Sequence, residues 1–216
     1  MTISTHYSAQ IRVAALIPAK AGHEEMLIAA LKDLVQVSNT QDGVLEYQLS
    51  QDTKNPTRFW MIESYRDKAS LDAHMASDVF KNAGPLLGPL LDGEIKINVL
   101  TPVKFDNPTY PENQAPHTTG DIRIVAVLRA KPGHEEGLKV AITTPIEATH
   151  KEPGCLEYHY NIDTSNSSVF WMLETYTNMD TFHSHLATEH NAAGGKATGP
   201  HLTESPEINV CKVIRY

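Results

Sequence analysis

The sequence predicts a protein of the α+β class, made of two copies of one small domain. Residues 11–100 align with residues 122–211 at a constant offset of 111 without a gap, and roughly a third of the paired residues are identical. Within each copy, the spacing of apolar residues changes from strand-like to helix-like and back, which is typical of mixed strands and helices. Between the copies, residues 101–120 carry four prolines among polar residues and predict a linker.

Each copy is predicted to have the element order β-α-β-β-α-β. In the first copy, alternating apolar residues predict a strand that ends at Pro18, and acidic residues before an apolar stripe predict a helix from Glu24. A turn through residues 52–56 joins the next two strands, and the last helical segment is predicted to break near Gly84–Pro85. The predicted segments are a strand at 11–17, a helix from 24 to before 42, strands at 44–51 and 57–65, a helical segment at 68–91 and a strand at 94–100.

This order is the split βαβ, or ferredoxin-like, arrangement, in which both helices lie on one face of a four-stranded antiparallel sheet. The bare apolar face of so small a sheet must be covered, and a second identical sheet is a suitable cover. We therefore predict two ferredoxin-like βαββαβ domains that form an intramolecular α+β barrel, which is a pseudo-dimer within one chain. The expected domains are 1–100 and 121–216 with a linker at 101–120, and residues 212–216 are placed to reach the other copy.

Composition and charge limit the classes of partner. A net charge of −8, without a cluster of Lys and Arg, argues against nucleic acid. The sequence contains no run of about 18 apolar residues, the length needed to span a membrane. The polar residues 1–6 lack a signal-peptide core, so a cytoplasmic protein is expected. Cys155 and Cys211 align with apolar Val44 and Leu100, which predicts buried thiols rather than a disulfide. Further association into a homo-oligomer is left open.

Four motifs recur in both copies: Lys20–Glu25 with Lys131–Glu136, Gly43–Tyr47 with Gly154–Tyr158, Met61–Tyr65 with Met172–Tyr176, and His74 with His185. Together they resemble the antibiotic biosynthesis monooxygenase family, over nearly all of both copies. The resemblance implies a dimeric α+β barrel, in agreement with the argument from the sheet. It also implies several activities, because relatives include quinol monooxygenases that use neither metal nor flavin, haem-degrading enzymes and an isomerase of a phosphorylated signalling sugar.

An oxygenase without a cofactor needs a base that deprotonates a phenol or hydroquinone, an apolar pocket and donors for the oxyanion. Imidazoles titrate close to neutral pH and tyrosines donate hydrogen bonds, so the candidate catalytic residues are His74, His185, Tyr65, Tyr176, Glu63 and Glu174. The candidate substrate-binding residues are Trp60, Trp171, Arg58, Tyr47 and Tyr158. We predict a monooxygenase that oxidises a small aromatic or quinol-type substrate with molecular oxygen and no cofactor.

Strand alternation divides these candidates between two faces of the sheet. Glu63 and Tyr65 share one face with Phe59, whereas Trp60 lies on the other, so Trp60 and Tyr65 cannot line one pocket unless a bulge intervenes. The histidine kept in both copies also fits a purely structural role, such as a bond to a backbone carbonyl. The sequence does not decide which of the two pockets is active.

Two other functions remain open. Arg58 could hold a phosphate by a charge-assisted pair, which favours an isomerase of a small phosphorylated metabolite, although its twin is Val169. The second alternative is a pseudo-dimer that binds a small ligand without catalysis. Haem degradation is disfavoured, because the resemblance implies an asparagine on the first strand and neither first strand contains one.

The second copy is rich in histidine, with seven of the eleven in the chain. His183, His185, His190 and His201 suggest a metal site. However, His183 and His185 project from different sides of a helix, and no His-x-x-x-His pair occurs. The sequence therefore predicts no metal and suggests instead that the two pockets have diverged.

Overall fold

The computed structural model describes residues 8–105, 109–111, 118 and 120–216. The chain divides into two compact units. The N-terminal unit comprises residues 8–99 together with Val213–Tyr216, and the C-terminal unit comprises the described residues from 100 to 212. Much of the predicted linker, and the polar start of the chain, lie outside the described residues.

The N-terminal unit has the predicted ferredoxin-like order, with the second helix divided in two. Strand β1 pairs antiparallel with β3, which also pairs with β2, and β4 lies beside β1. The bounds of its elements are β1 (Ile11–Pro18), α1 (Glu24–Ser38), β2 (Val44–Asp52), β3 (Arg58–Tyr65), α2 (Lys68–Ala76), α3 (Asp78–Leu87), a 3-10 turn (Gly88–Leu90) and β4 (Lys96–Pro102).

The second helical segment breaks at Ser77, so the predicted break at Gly84–Pro85 is wrong. Ser77 has extended backbone angles, and its side chain accepts a hydrogen bond from the backbone N–H of Phe80, which starts α3. Pro85 instead lies inside α3. Proline cannot donate the helical hydrogen bond to the carbonyl of Lys81, and both residues are exposed, so water can satisfy that carbonyl.

The hydrophobic core of the N-terminal unit lies between the sheet and α1. Alternate residues of β3, including Phe59, Met61 and Tyr65, pack with Leu27 and Leu31 of the helix. The alternate residues of the strand and the helically spaced leucines therefore pack in one cluster, as the sequence predicts.

The C-terminal unit repeats this architecture, with sheet order β8-β5-β7-β6. Its first helix is interrupted, because Pro145 stands where α1 has Leu34, and proline cannot donate the next helical hydrogen bond. The bounds are β5 (Ile122–Arg129), α4 (Glu135–Ala141), α5 (Ile146–His150), β6 (Cys155–Asp163), β7 (Val169–Tyr176), α6 (Met179–Leu186), α7 (Glu189–Thr198), a 3-10 turn (Gly199–His201) and β8 (Glu207–Val213).

Each unit contains the end of the last strand of the other repeat. In the N-terminal unit, the backbone N–H of Ile214 donates to the carbonyl of Leu49 at 2.9 Å, and the Tyr216 hydroxyl donates to the carbonyl of Ile28 at 2.7 Å. In the C-terminal unit, residues 100–102 pair antiparallel with β6. The prediction that the segment after the last strand joins the other copy is confirmed.

Two further expectations concern side chains and membranes. Cys155 and Cys211 are both fully buried, as their apolar twins predict, and they form no disulfide with each other. In the part of the chain that the structure describes, no helix has both the length and the apolar character needed to cross a membrane.

Candidate active site

His74 of α2 is the centre of a buried cluster in the N-terminal unit. Its side chain is only 2% exposed, and its Nδ1 lies 2.8 Å from Oε1 of Gln41. An amide oxygen only accepts hydrogen bonds, so Nδ1 carries the proton and donates it. The other ring nitrogen, Nε2, is buried and has no hydrogen-bond partner among the described residues. His74 therefore holds a free lone pair inside the protein.

Three aromatic rings surround the imidazole of His74. The ring centroids of Tyr47, Phe80 and Tyr65 lie 5.0, 5.1 and 5.7 Å from it. Burial among these groups lowers the pKa of His74 to about 4, because the charged form loses its hydration. The imidazole is consequently neutral at physiological pH.

Glu63 of β3 lies on the same side of the sheet and binds the tyrosines of the cluster. The Tyr65 hydroxyl donates to Oε2 of Glu63 at 2.6 Å, and Tyr47 also donates to this carboxylate. Burial raises the pKa of Glu63 to about 7, although these two hydrogen bonds act in the opposite direction. Glu63 therefore changes its charge close to neutral pH, whereas burial raises the pKa of both tyrosines and keeps them protonated.

A cavity of about 490 Å³ adjoins this cluster and is lined by His74 and Gln41, among other residues. Arg66 and Asp42 also line it, and their largely exposed side chains form an ion pair at 2.9 Å. Hydrogen bonding to Arg66 lowers the pKa of the Asp42 carboxyl. The cavity therefore places open space beside His74 and Gln41 at one side of the cluster.

Replacing Glu63 by glutamine is expected to change how stability depends on pH. Burial raises the pKa of Glu63 from its ordinary value near 4.5 to about 7, so the folded state holds this proton more tightly than the unfolded state. This contribution to stability is complete below about pH 4.5 and is lost as the pH rises through about 7. At about pH 8 the ionised carboxylate costs the wild type about 3 kcal/mol.

The measurement is the free energy of unfolding of the wild type and E63Q between about pH 4.5 and 8, by urea denaturation. The stability of E63Q relative to the wild type should increase by about 3 kcal/mol across this range. If the difference in free energy of unfolding between E63Q and the wild type stays constant with pH, the raised pKa of Glu63 is contradicted.

The C-terminal unit contains an equivalent but more polar cluster around His185. Its Nδ1 lies 2.8 Å from Oε1 of Glu152, and Nε2 of His190 lies 2.5 Å from the same oxygen. On the other side, Nε2 of His185 is 4.0 Å from Oε2 of Glu174. The Tyr176 hydroxyl donates to Glu174 at 2.6 Å, as Tyr65 does to Glu63.

Charge is distributed differently in the two clusters. Burial raises the pKa of Glu174. Burial also acts to raise the pKa of Glu152, but hydrogen bonds from His185 and His190 outweigh it, and the net effect is to lower that pKa. The N-terminal unit has Gln41 and Val79 where the C-terminal unit has Glu152 and His190. The two clusters have therefore diverged at the positions that provide the partners of His185.

The structure brings the six predicted catalytic residues together in two clusters, one in each unit. In each unit the histidine, the glutamate and the tyrosine of β3 or β7 form one cluster, and the tyrosine of β2 or β6 belongs to it as well. Tyr158, for example, lies 5.8 Å from His185 between ring centroids. The predicted residues in the two clusters are His74, Glu63, Tyr65 and Tyr47, and His185, Glu174, Tyr176 and Tyr158.

The remaining predicted residues lie elsewhere. Trp60 and Trp171 are on the opposite face of the sheet, as strand alternation predicts, and Nε1 of Trp171 donates to Asp163 at 3.3 Å. Arg58 pairs with Pro18 at one end of β3, whereas Tyr65 pairs with Ile11 at the other end. Seven residue steps of about 3.3 Å separate them by roughly 23 Å, so the structure does not bring Arg58 to the His74 cluster.

A buried ion pair on this opposite face was not predicted from the sequence. Arg123 Nη1 lies 2.8 Å from Glu157 Oε2, and both side chains are almost completely buried. The Thr175 hydroxyl donates to the same carboxylate oxygen at 2.6 Å. The signal in the sequence was an arginine at the same place in two otherwise apolar strands, Arg12 in β1 and Arg123 in β5. Gln41, Glu152 and His190 were also missed as partners of the two histidines.

Two ferredoxin-like repeats, each with a buried cluster of histidine, glutamate and tyrosines, define a tandem α+β protein with two candidate sites. The antibiotic biosynthesis monooxygenase family matches residues 10–85 and 121–196. The chain therefore belongs to the antibiotic biosynthesis monooxygenase family, in a form that carries two copies of the domain.

Several solved structures resemble the chain over almost its whole length. A protein from Fusobacterium nucleatum, provisionally assigned as a monooxygenase, has 16% identity and a TM-score of 0.84, covering 97% of this chain and 94% of that one. A similarly assigned protein from Lactobacillus acidophilus has 15% identity and a TM-score of 0.77, covering 95% and 94%. An anthrone oxidase-like protein has 10% identity and a TM-score of 0.65, covering 95% and 91%. At these identities the likeness shows a shared fold. None of the curated proteins compared with the chain matches it.

Proposed function

We propose that the protein is a cofactor-independent monooxygenase that oxidises a small aromatic or quinol-type substrate with molecular oxygen, and that His74 is its base. The observation that carries the proposal is the neutral imidazole of His74, with a buried Nε2 that has no partner among the described residues. Membership of the monooxygenase family supports it, as do the names of the structural neighbours.

The first step is removal of a proton from a substrate hydroxyl by Nε2 of His74. Gln41 holds Nδ1–H and so keeps the lone pair on Nε2. The aromatic rings of Tyr47, Tyr65 and Phe80 pack around the imidazole and keep its surroundings apolar.

The second step is transfer of electrons from the substrate anion to oxygen. A hydroquinone and one molecule of oxygen give a hydroxyquinone and one molecule of water, so the substrate supplies all the electrons and no external reductant is needed. The Tyr65 hydroxyl, which stays protonated, can turn from Glu63 to the oxygen that becomes negative.

The proposal is tested by oxygen uptake of the metal-stripped full-length protein with a panel of reduced quinones and polyphenols. Spontaneous oxidation is subtracted, and the products are analysed by mass spectrometry after reaction in isotopically labelled oxygen. We expect uptake that depends on the protein and persists with a chelator, with one labelled oxygen atom in the product. Ligand binding without uptake, or a product without label, would contradict the oxygenase assignment and favour a binding protein.

A further inference from the structure

The cluster of Glu152, His185 and His190 in the C-terminal unit has the composition of a metal site. Two imidazole nitrogens and one carboxylate oxygen lie within 4.8 Å of one another. This donor set is the one that zinc and related divalent transition metals bind in proteins. We propose that these three residues bind a divalent transition-metal ion of the zinc type, in the pocket that our proposed oxygenase reaction does not use.

The distances in the cluster are close to those of a coordination shell. Oε1 of Glu152 lies 2.8 Å from Nδ1 of His185 and 2.5 Å from Nε2 of His190. A metal about 2.0–2.2 Å from each donor separates neighbouring donor atoms by about 3–3.5 Å. Small side-chain rotations therefore suffice to insert an ion between the carboxylate and the two rings.

The second imidazole nitrogen of His185 has a suitable partner. When Nδ1 binds the metal, the proton lies on Nε2, which faces Oε2 of Glu174 at 4.0 Å. Glu174 is fixed in turn by the Tyr176 hydroxyl at 2.6 Å. A carboxylate hydrogen-bonded to a metal-bound histidine orients the ring and strengthens the nitrogen as a ligand, and a shift of about 1 Å would bring Glu174 within that distance of Nε2. Three protein donors also leave a coordination position open to water or another small molecule.

The three ligands come from separate elements, and this explains why helix spacing alone argued against a metal. Glu152 lies in the turn between α5 and β6, His185 in α6, and His190 in the first turn of α7. His183 belongs to α6 but not to the cluster. The site is thus assembled by tertiary packing.

The N-terminal unit provides a natural comparison. It keeps His74 at the position of His185 but has Gln41 for Glu152 and Val79 for His190. A valine cannot bind a metal, and an amide is a much weaker ligand than a carboxylate for zinc-type ions. We therefore expect one ion per chain, bound in the C-terminal unit.

The test uses the metal-stripped full-length protein and Zn²⁺ as the ligand, with stoichiometry from equilibrium dialysis and affinity from calorimetry. Glu152→Gln and His190→Val introduce the residues of the N-terminal unit, and circular dichroism checks their fold. The wild type should bind one ion, and each variant should lose more than about 100-fold in affinity, beyond the 10–100-fold typical of an outer-shell change. Co²⁺ should give visible absorption bands in the wild type that both variants lack.

The matched control is His201→Leu. It replaces one member of another histidine pair by leucine, the residue that the N-terminal unit has at the equivalent position. Nδ1 of His201 lies 3.1 Å from Nδ1 of His134, so this pair could bind metal from solvent. H201L should bind Zn²⁺ with the affinity of the wild type. Absence of binding in the wild type would overturn the proposal, as would loss of binding in H201L alone. Because binding is measured directly, failure of the oxygenase assay has no bearing on this result.

Discussion

Replacing His74 by glutamine is expected to lower the rate of oxygen consumption by about 10²–10⁴-fold, the usual contribution of a general base. Glutamine keeps the polar volume in the cluster but has no basic nitrogen to accept the substrate proton. The measurement is the initial rate of oxygen uptake at saturating substrate, with the quinol that gives the highest rate in the wild type. His23→Gln is the control, because His23 lies at the start of α1 in the same unit and outside the His74 cluster.

The equivalent variant of the C-terminal unit decides which pocket carries the reaction. If H185Q stops oxygen uptake while H74Q keeps the wild-type rate, the assignment to the N-terminal pocket is wrong. Circular dichroism and thermal unfolding of both variants separate a loss of catalysis from a loss of fold.

Replacing Arg123 by methionine is expected to lower the free energy of unfolding by about 3–5 kcal/mol. The side chains of Arg123 and Glu157 are 1% and 0% exposed, and their ion pair is 2.8 Å long. Methionine fills much of the arginine volume but removes the positive charge that lies 2.8 Å from the buried carboxylate of Glu157. Removal of one member of a buried pair is costly for this reason.

The measurement is urea denaturation of R123M, of E157Q and of the double variant. The double variant should be more stable than the sum of the two single losses predicts, since it removes both charges of the pair together. Arg129→Met is the control, because Arg129 pairs with Glu204 at 3.3 Å with both side chains largely exposed. That change should cost less than about 1 kcal/mol. Equal losses of unfolding free energy in R123M and R129M would contradict the prediction that the buried ion pair contributes more to stability than the exposed one.

The sequence predicted those features that depend on local periodicity. Alternation along β3 placed Glu63 and Tyr65 on one face and Trp60 on the other, and the 2.6 Å hydrogen bond between Tyr65 and Glu63 agrees with this. The position of the helix break was wrong, because Ser77 caps the next helix through its side chain and Pro85 is tolerated on an exposed surface. Capping depends on the backbone conformation of one residue, which composition alone does not determine.

The partners of the two histidines could not be predicted, because they come from distant parts of the chain. Gln41 and His74 are 33 residues apart, and Glu152 and His190 are 38 residues apart. Helix and strand periods relate residues within one element, whereas these contacts depend on how a turn packs against α2 or α6. The buried Arg123 was missed for a different reason, since arginine is rarely buried unless it is paired and its partner Glu157 lies on another strand.

The exchanged strand ends also constrain how the protein is made. In the N-terminal unit, strand β2 accepts a hydrogen bond from the backbone N–H of Ile214. The ribosome adds Ile214 more than a hundred residues after the first repeat is complete. Until then, the nascent first repeat exposes a strand edge whose amide and carbonyl groups can pair with other chains. Because the missing strand is tethered to the same polypeptide, its high effective concentration favours the intended partner over aggregation. Duplication on one chain thereby protects the folding of the first repeat.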